Sequence, residues 1–260
     1  MIERSSNGLR YFEFETFQDQ NVSVRFYSRQ GGVSPAPWNS LNQGGTVGDS
    51  RDNVVENRKR IFGDLNRPVE SIYDVWQVHG NQIIYSNLPR DLNFGHQKAD
   101  AIFTENPDVT LFMRFADCVP IMLYAAQLDV IGIVHAGWMG TVNGIVKEAV
   151  STLQERYAID PQSITAGIGP AIGPDHYQVG PDVEHRVIER FGEQSEYLLS
   201  KIGEKVFFNL WKANELLLRD AGVSEIECAE ICTACNTQDW YSHRQERGIT
   251  GRFAAVAFLK

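Results

Sequence analysis

Between Thr110 and Val134 the chain carries three apolar, strand-like runs in quick succession: TLFMRFA (110–116), PIMLYAA (120–126) and VIGIV (130–134). The third is a continuous β-branched run of the kind that forms buried strands, so a sheet inside a packed core is the first requirement on the fold. VSVRFYS (22–28) alternates like a strand, SIYDVWQV (71–78) reads as a strand closed by His79-Gly80-Asn81, and CAEIC (228–232) and RFAAVAFL (252–259) read as two more. Helical signals lie between them. Asp52 to Leu65 reads as a charged helix, and Thr141 can cap one reaching about Tyr157, with Val142, Ile145, Val146, Ala149 and Leu153 near helical spacing. Pro181 opens a helix that Gly192 closes, and Asn209 caps another that ends by Gly222. Strands and helices intermix without strict βαβ alternation, which predicts an α+β chain with mixed sheets.

Composition narrows the function classes. At 260 residues, with 43% hydrophobic and 22% charged residues, the chain is long enough for one large domain or two intimate ones and is neither disordered nor collagenous. A net charge of −9 argues against nucleic acid as a partner, because sequence-independent phosphate-backbone binding needs surplus positive charge. No apolar run approaches the ~18–20 residues that span a bilayer, so no membrane partner is expected. The start, MIERSSNGLRYFEFETF, places acids and polar groups where a signal peptide is apolar. A cytoplasmic protein with reduced thiols is the expectation. No internal repeat or low-complexity tract is present, and the segment GGVSPAPWNSLNQGG (31–45) is longer than a mere connection needs to be.

Three residues carry the chemistry. His79, Cys118 and His135 each follow an apolar strand-like run and sit in the tight segments QVHGN, ADCVP and HAGW. Their separations, 39 and 17 residues, are not those of a local metal motif, yet strand ends of one sheet system could bring them together. A thiolate with two imidazoles suits Zn²⁺ and leaves a fourth position open, as in a catalytic site, while the same set serves a trigonal copper with Met139 or Met113 as axial ligand. A Cys–His nucleophile pair oriented by Asp117 is a third reading. For Cys118 taken by itself, a buried small side chain is the structural alternative.

WQVHGN, KADAIFT, FADCVPIMLY, VIGIVHAGWMGTVNGIV, GIGPAIGPDHYQVG and YSHRQERGITGR together resemble the YfiH family, also called the laccase-domain or multicopper polyphenol oxidase family. The similarity runs from about SRQGGVS to the carboxyl terminus. It implies a single domain over residues 1–260 with a mixed β-sandwich core flanked by helices, and a metal, zinc with copper as alternative, held by His79, Cys118 and His135. Members of the family have been described as purine nucleoside phosphorylases with adenosine deaminase activity, as laccase-like polyphenol oxidases and as peptidoglycan-editing factors. The resemblance thus implies a transferase, hydrolase or oxidoreductase. The first of these reactions takes a small nucleoside (adenosine, inosine or methylthioadenosine) and phosphate.

The purine reading asks for an anion site. Arg29, Arg244 and Arg252 lie in SRQGG, YSHR and TGR, where a guanidinium can hold a phosphate bidentately. The turn Gly137-Trp138-Met139-Gly140 offers backbone N–H groups as a second anion locus. Asp117 and Asp100 are the candidate proton-shuttling carboxylates. The aromatics Trp76, Trp138 and Tyr241 are candidates for stacking on a base, and Gln77 and Asn42 for orienting substrate, each against an ordinary packing or turn role. The H-x-E and P-C-x-x-C patterns of the common zinc deaminases are absent. Cys228, Cys232 and Cys235 spell C-x3-C-x2-C, an iron–sulfur spacing, but it begins 32 residues before the chain end and its first cysteine falls in a strand-like run. GIGPAIGP misses the dinucleotide fingerprint and reads as a rigid turn beside the site.

Overall fold

A computed structural model describes all 260 residues. The chain opens with strands β1 (Ile2–Ser6), β2 (Leu9–Glu13) and β3 (Val22–Tyr27), then helix α1 (Arg51–Asp64), whose first turn is capped by Ser50. Six strands follow: β4 (Ile72–Tyr73), β5 (Ile83–Tyr85), β6 (Ala101–Thr104), β7 (Thr110–Phe115), β8 (Val119–Ala125) and β9 (Val130–Ala136). Helices α2 (Trp138–Val142) and α3 (Ile145–Tyr157) lead to β10 (Ile164–Ile168) and β11 (Gln178–Val179). The remainder holds α4 (Pro181–Phe191), β12 (Leu199–Ile202), β13 (Lys205–Phe208), α5 (Leu210–Asp220), β14 (Glu225–Cys228) and β15 (Phe253–Leu259).

Two six-stranded sheets form the core. One runs β1-β2-β3-β15-β7-β4 and the other β14-β10-β8-β9-β6-β5, with β11-β13-β12 as a small third sheet. Both large sheets are mixed: β4 with β7, β5 with β6 and β10 with β14 pair parallel, and the other neighbours antiparallel. The VIGIV run has no polar face because both of its faces are covered. Ile131 and Ile133 pack with Met122, Tyr124 and Ile102 against Phe26, Met113 and Phe115 of the first sheet. Val130 and Val134 turn the other way, onto a layer from α3, α4 and α5 that includes Ile145, Val150, Val187 and Leu217. The outer face of the first sheet, with Tyr27, Phe112 and Val256, is closed by Ile61, Phe62 and Leu65 of the α1 region. The result is four layers, helix, sheet, sheet and helices, each sheet burying alternate side chains on opposite sides. This is the α+β chain with mixed sheets that the element pattern predicts and the helix-flanked sandwich that the resemblance implies.

Three local expectations need correction. The helix expected from Thr141 is two helices, because Gly144 takes a left-handed conformation (φ 84°) between Val142 and Ile145. Thr141 is buried and donates to Asn214 Oδ1 at 3.2 Å instead of capping. The strand expected over 71–78 stops at Tyr73. Its next residue, Asp74, is fully buried and accepts hydrogen bonds from Arg90, His96 and Arg114 at 2.7, 3.0 and 3.1 Å. CAEIC is a strand only to Cys228, after which a single bridge joins Cys232 to Ala171.

Candidate functional site

The hairpin register brings the first two chemical groups together. β8 and β9 pair Val119 with Ala136 and Pro120 with His135, so Cys118, just before β8, emerges beside the end of β9. A 17-residue separation in the chain is therefore closed by one hairpin. His135 shares the sandwich-facing side of β9 with Ile131 and Ile133, and its ring lies 5.4 Å from that of Phe115. β6 pairs Ala101 with Val134, which delivers Asp100 to the same end of the sheet. His79 arrives from the loop after β4, not from a strand end.

Asp100 organises this junction. Its fully buried carboxylate accepts N–H bonds from His79 (2.9 Å) and Gly80 (2.7 Å), and pairs with His135 Nδ1 at 2.8 Å. The backbone of His79 is left-handed (φ 59°), a conformation that costs a non-glycine residue energy and that the Asp100 carboxylate holds in place. With Nδ1 committed to Asp100, His135 has Nε2 free. The Cys118 Sγ stands 3.7 Å from His79 Nε2, the two imidazole rings meet edge-on with centroids 4.9 Å apart, and one donor atom from each of His79, Cys118 and His135 lies within 4.8 Å of the others. A Cβ on Gly137 would fall 2.9 Å from His79 Cδ2 and 3.0 Å from Cys118 Sγ, so only glycine leaves this space open. A soft thiolate, two imidazoles and a carboxylate behind one of them form the donor set and second layer of a metal centre. The residues fit a metal.

Electrostatics couple Cys118 to His135. Burial opposes charge on both Cys118 and His135. Their mutual attraction, with hydrogen bonds from His79 and to Asp100, nevertheless drives the thiol down to about 6 and the imidazole up to about 9. Burial likewise opposes ionisation of Asp100, but bonds from His135, Gly80 and His79 hold its carboxyl below the usual carboxylate range. Without an ion the site thus favours a Cys118 thiolate paired with a protonated His135; the thiolate is the form that ligates metals, and an entering ion takes the place of the His135 proton.

These groups open into a cavity of about 700 Å³. Asp117, Gln77, Arg244 and Arg252 line it, as do Trp76 and Trp138. Asp117 is its one carboxylate and has a left-handed backbone (φ 80°). Its oxygens accept from Thr233 Oγ1 (2.7 Å) and the Arg244 N–H (2.6 Å). Burial lowers the Arg252 pKa, with the charges of Cys118 and Asp117 opposing that shift from nearby.

Other expected residues have different work. Arg29 does not line the cavity. Its guanidinium is buried, donates to the Asn39 and Thr237 carbonyls at 2.7 and 2.8 Å, and pairs with Glu246 at 2.9 Å. The anion set therefore loses Arg29. The Gln77 amide is committed to the main chain of Arg114, donating to its carbonyl at 2.8 Å and accepting its N–H at 3.0 Å, so it extends the β4–β7 pairing by side chain instead of orienting a substrate. Tyr241 is fully buried under the Arg29 guanidinium and donates to the Trp38 carbonyl. Asn42 is buried too, accepting from Arg252 N–H at 2.9 Å and so fixing the backbone of a lining arginine. Arg114, His96, Tyr177 and His243 line the cavity without having been singled out. Arg114 had a signal, as the one charge inside the apolar run TLFMRFA.

Comparison with known proteins shows what the whole chain resembles. The family described as multi-copper polyphenol oxidoreductase laccase matches residues 23–260. The chain is 37% identical over 237 residues to a Geobacillus stearothermophilus protein named purine nucleoside phosphorylase YlmD, covering 88% of this chain and 86% of that protein. It is 31% identical to purine nucleoside phosphorylase YfiH of Escherichia coli, covering 93% and 96% of the two chains. The crystal structure of YlmD from G. stearothermophilus superposes with a TM-score of 0.91 at 33% identity, over 99% of this chain and 98% of that one. The Bacillus licheniformis hypothetical protein YfiH gives the same TM-score at 31% identity, over 99% of both chains. No helix is long and apolar enough to cross a membrane.

Proposed function

The chain belongs to the multi-copper polyphenol oxidoreductase laccase family, and we propose that within it this protein is a zinc-dependent purine nucleoside phosphorylase. One observation carries the reading. A Cys118 thiolate and the imidazoles of His79 and His135 open into a nucleoside-sized cavity that also presents Arg244, Arg252, Trp76 and Trp138. Relatives named purine nucleoside phosphorylase, matched over most of their length, support it.

In phosphorolysis a phosphate oxygen bonds to the ribose C1′, the C1′–N9 bond breaks with its electron pair leaving on the purine, and a proton neutralises the base. Arg244 and Arg252 hold the phosphate dianion, and the fixed guanidinium plane makes such contacts directional. Trp76, 49% exposed on the cavity wall, and Trp138 offer π faces to the purine. His79, Cys118 and His135 would hold the zinc, which when bound supplies Lewis acidity to the reacting nucleoside. Asp100 aims the His135 imidazole and holds the backbone of His79. Zinc is preferred over copper because phosphorolysis moves no electrons between substrate and metal, whereas four-electron O₂ reduction calls for several coppers close together. Asp117, the one lining carboxylate, is placed to move a proton if adenosine is also deaminated.

The test is product analysis. Zinc-loaded protein given inosine or adenosine with phosphate should release free base and ribose 1-phosphate, and Cys118→Ala should abolish this. Base release that does not need phosphate, or full turnover in Cys118→Ala, overturns the reading; ammonia release from adenosine reports the deaminase arm.

A further inference from the structure

Two of the three clustered cysteines are gathered at a place the nucleoside cavity does not use. Cys228 ends β14 and packs against the apolar core, which removes it from any three-cysteine cluster. Cys232 and Cys235 turn instead toward Asp175 and His176 of the turn before β11, and one donor atom from each of the four lies within 4.8 Å of the others. We propose that Asp175, His176, Cys232 and Cys235 form a second zinc site, closed by four protein ligands, which pins the 173–178 turn to the 232–235 turn.

The donors converge on one point. His176 Nδ1 is 3.5 Å from Cys235 Sγ, 3.9 Å from Cys232 Sγ and 3.1 Å from Asp175 Oδ1. A tetrahedron built on Zn–S of ~2.3 Å and Zn–N of ~2.0–2.1 Å has ligand-to-ligand edges of about 3.3–3.8 Å, so small side-chain adjustments would seat the ion. Cys232 Sγ is already held by N–H bonds from Gly173 (3.2 Å) and Cys235 (3.4 Å), which fix its position. A side chain at residue 173 would intrude on both ligands, its Cβ 2.9 Å from Asp175 Oδ1 and 3.1 Å from Cys232 Sγ. Asp175 and Cys235 are exposed, so the ion has a route in. The consequence reaches the cavity. Thr233, next to Cys232, holds the Asp117 carboxylate, and Tyr177, next to His176, lies 5.1 Å beneath the Arg244 guanidinium. An ion at this staple fixes the spacing of two turns that carry the cavity wall.

Metal content tests this independently of nucleoside turnover. In a Cys118→Ala chain, where the first site is disabled, dialysed protein should retain a full equivalent of zinc, and Co²⁺ in its place should show thiolate-to-cobalt charge-transfer absorption. Adding Cys235→Ser should remove both signals, and Asp175→Asn, on an exposed side chain, should weaken zinc retention in a chelator competition. The proposal is overturned by a Cys118→Ala chain with free Cys232 and Cys235 thiols that takes up neither metal. It is equally overturned by a zinc equivalent that survives Cys235→Ser, or by a Cys232–Cys235 disulfide in protein purified under reducing conditions.

Discussion

Replacing Asp100 with asparagine keeps shape and removes one acceptor, and the structure says what that costs. Oδ1 accepts from His79 N–H and His135 Nδ1 at 2.9 and 2.8 Å, while Oδ2 accepts from Gly80 N–H at 2.7 Å. An amide can present oxygen to only one of these sides. The less damaging orientation keeps oxygen toward the two histidines and sets an NH₂ against the Gly80 N–H, stranding a buried donor at ~1–3 kcal/mol, and trading charge-assisted for neutral bonds removes about 1 kcal/mol more. The folded state should therefore lose about 2–4 kcal/mol, read as a lower urea midpoint in metal-free protein. Metal binding suffers separately, because His135 loses the carboxylate that fixes its ring. Carboxylates behind ligating histidines are worth ~10–100-fold in affinity, about 1.4–2.7 kcal/mol. Zinc affinity by chelator competition, in a Cys235→Ser background to leave one site, checks this. A variant within about threefold of the parent, ~0.65 kcal/mol, with an unchanged urea midpoint, refutes the claim that Asp100 organises the centre.

Three further outcomes are expected. Gly137→Ala should place a methyl against His79 and Cys118, costing ~1–3 kcal/mol of overpacking and emptying the first metal site in elemental analysis while far-ultraviolet dichroism stays native. Arg252→Met should raise the phosphate KM about tenfold or more, as loss of a charge-assisted bond does, whereas Arg29→Met should leave that KM unchanged and instead destabilise the chain by ~1–3 kcal/mol, since Glu246 Oε1 loses its partner while Oε2 keeps Ser242 N–H and Thr250 Oγ1. Asp74 sets an acid limb: burial opposes its charge, but His96, Arg114 and Arg58 hold its carboxyl far below the usual range. Its stabilisation is thus complete above the unfolded value of ~3.9 and is lost as pH falls below it. Urea midpoints of Asp74→Asn and the parent should differ most at neutral pH and converge in acid; a gap that widens in acid contradicts the assignment.

What could be read from the chain alone follows from which forces act locally. VIGIV and its neighbours were legible as buried strands because burial on both faces leaves only apolar side chains, and the α4 and α5 limits were legible because Pro181, Gly192 and Asn209 act on the backbone beside them. SIYDVWQV misled because its apolar pattern hides Asp74, whose partners Arg90, His96 and Arg114 are 16 to 40 positions away and which ends the strand by ion pairing. Arg29 misled for the converse reason, since a guanidinium in a Gly-rich loop looks the same whether it awaits a phosphate or, as here, ties the loop's Asn39 carbonyl to the distant Thr237 carbonyl. His79, Cys118 and His135 stood out by residue type, whereas Asp100 read only as a candidate proton shuttle and Gly137 only as part of an anion-binding turn, not as the residues that give the three their geometry. An acid before a strand and a glycine after one are commonplace until the β6–β9 and β8–β9 registers set them against the two imidazoles and the sulfur. Ligand identity is thus written in side-chain chemistry, whereas ligand orientation is written in strand register. That is why a substitution at Asp100 or Gly137, neither of which supplies a proposed metal donor, should disturb the metal more than one at Gln77, which lines the cavity.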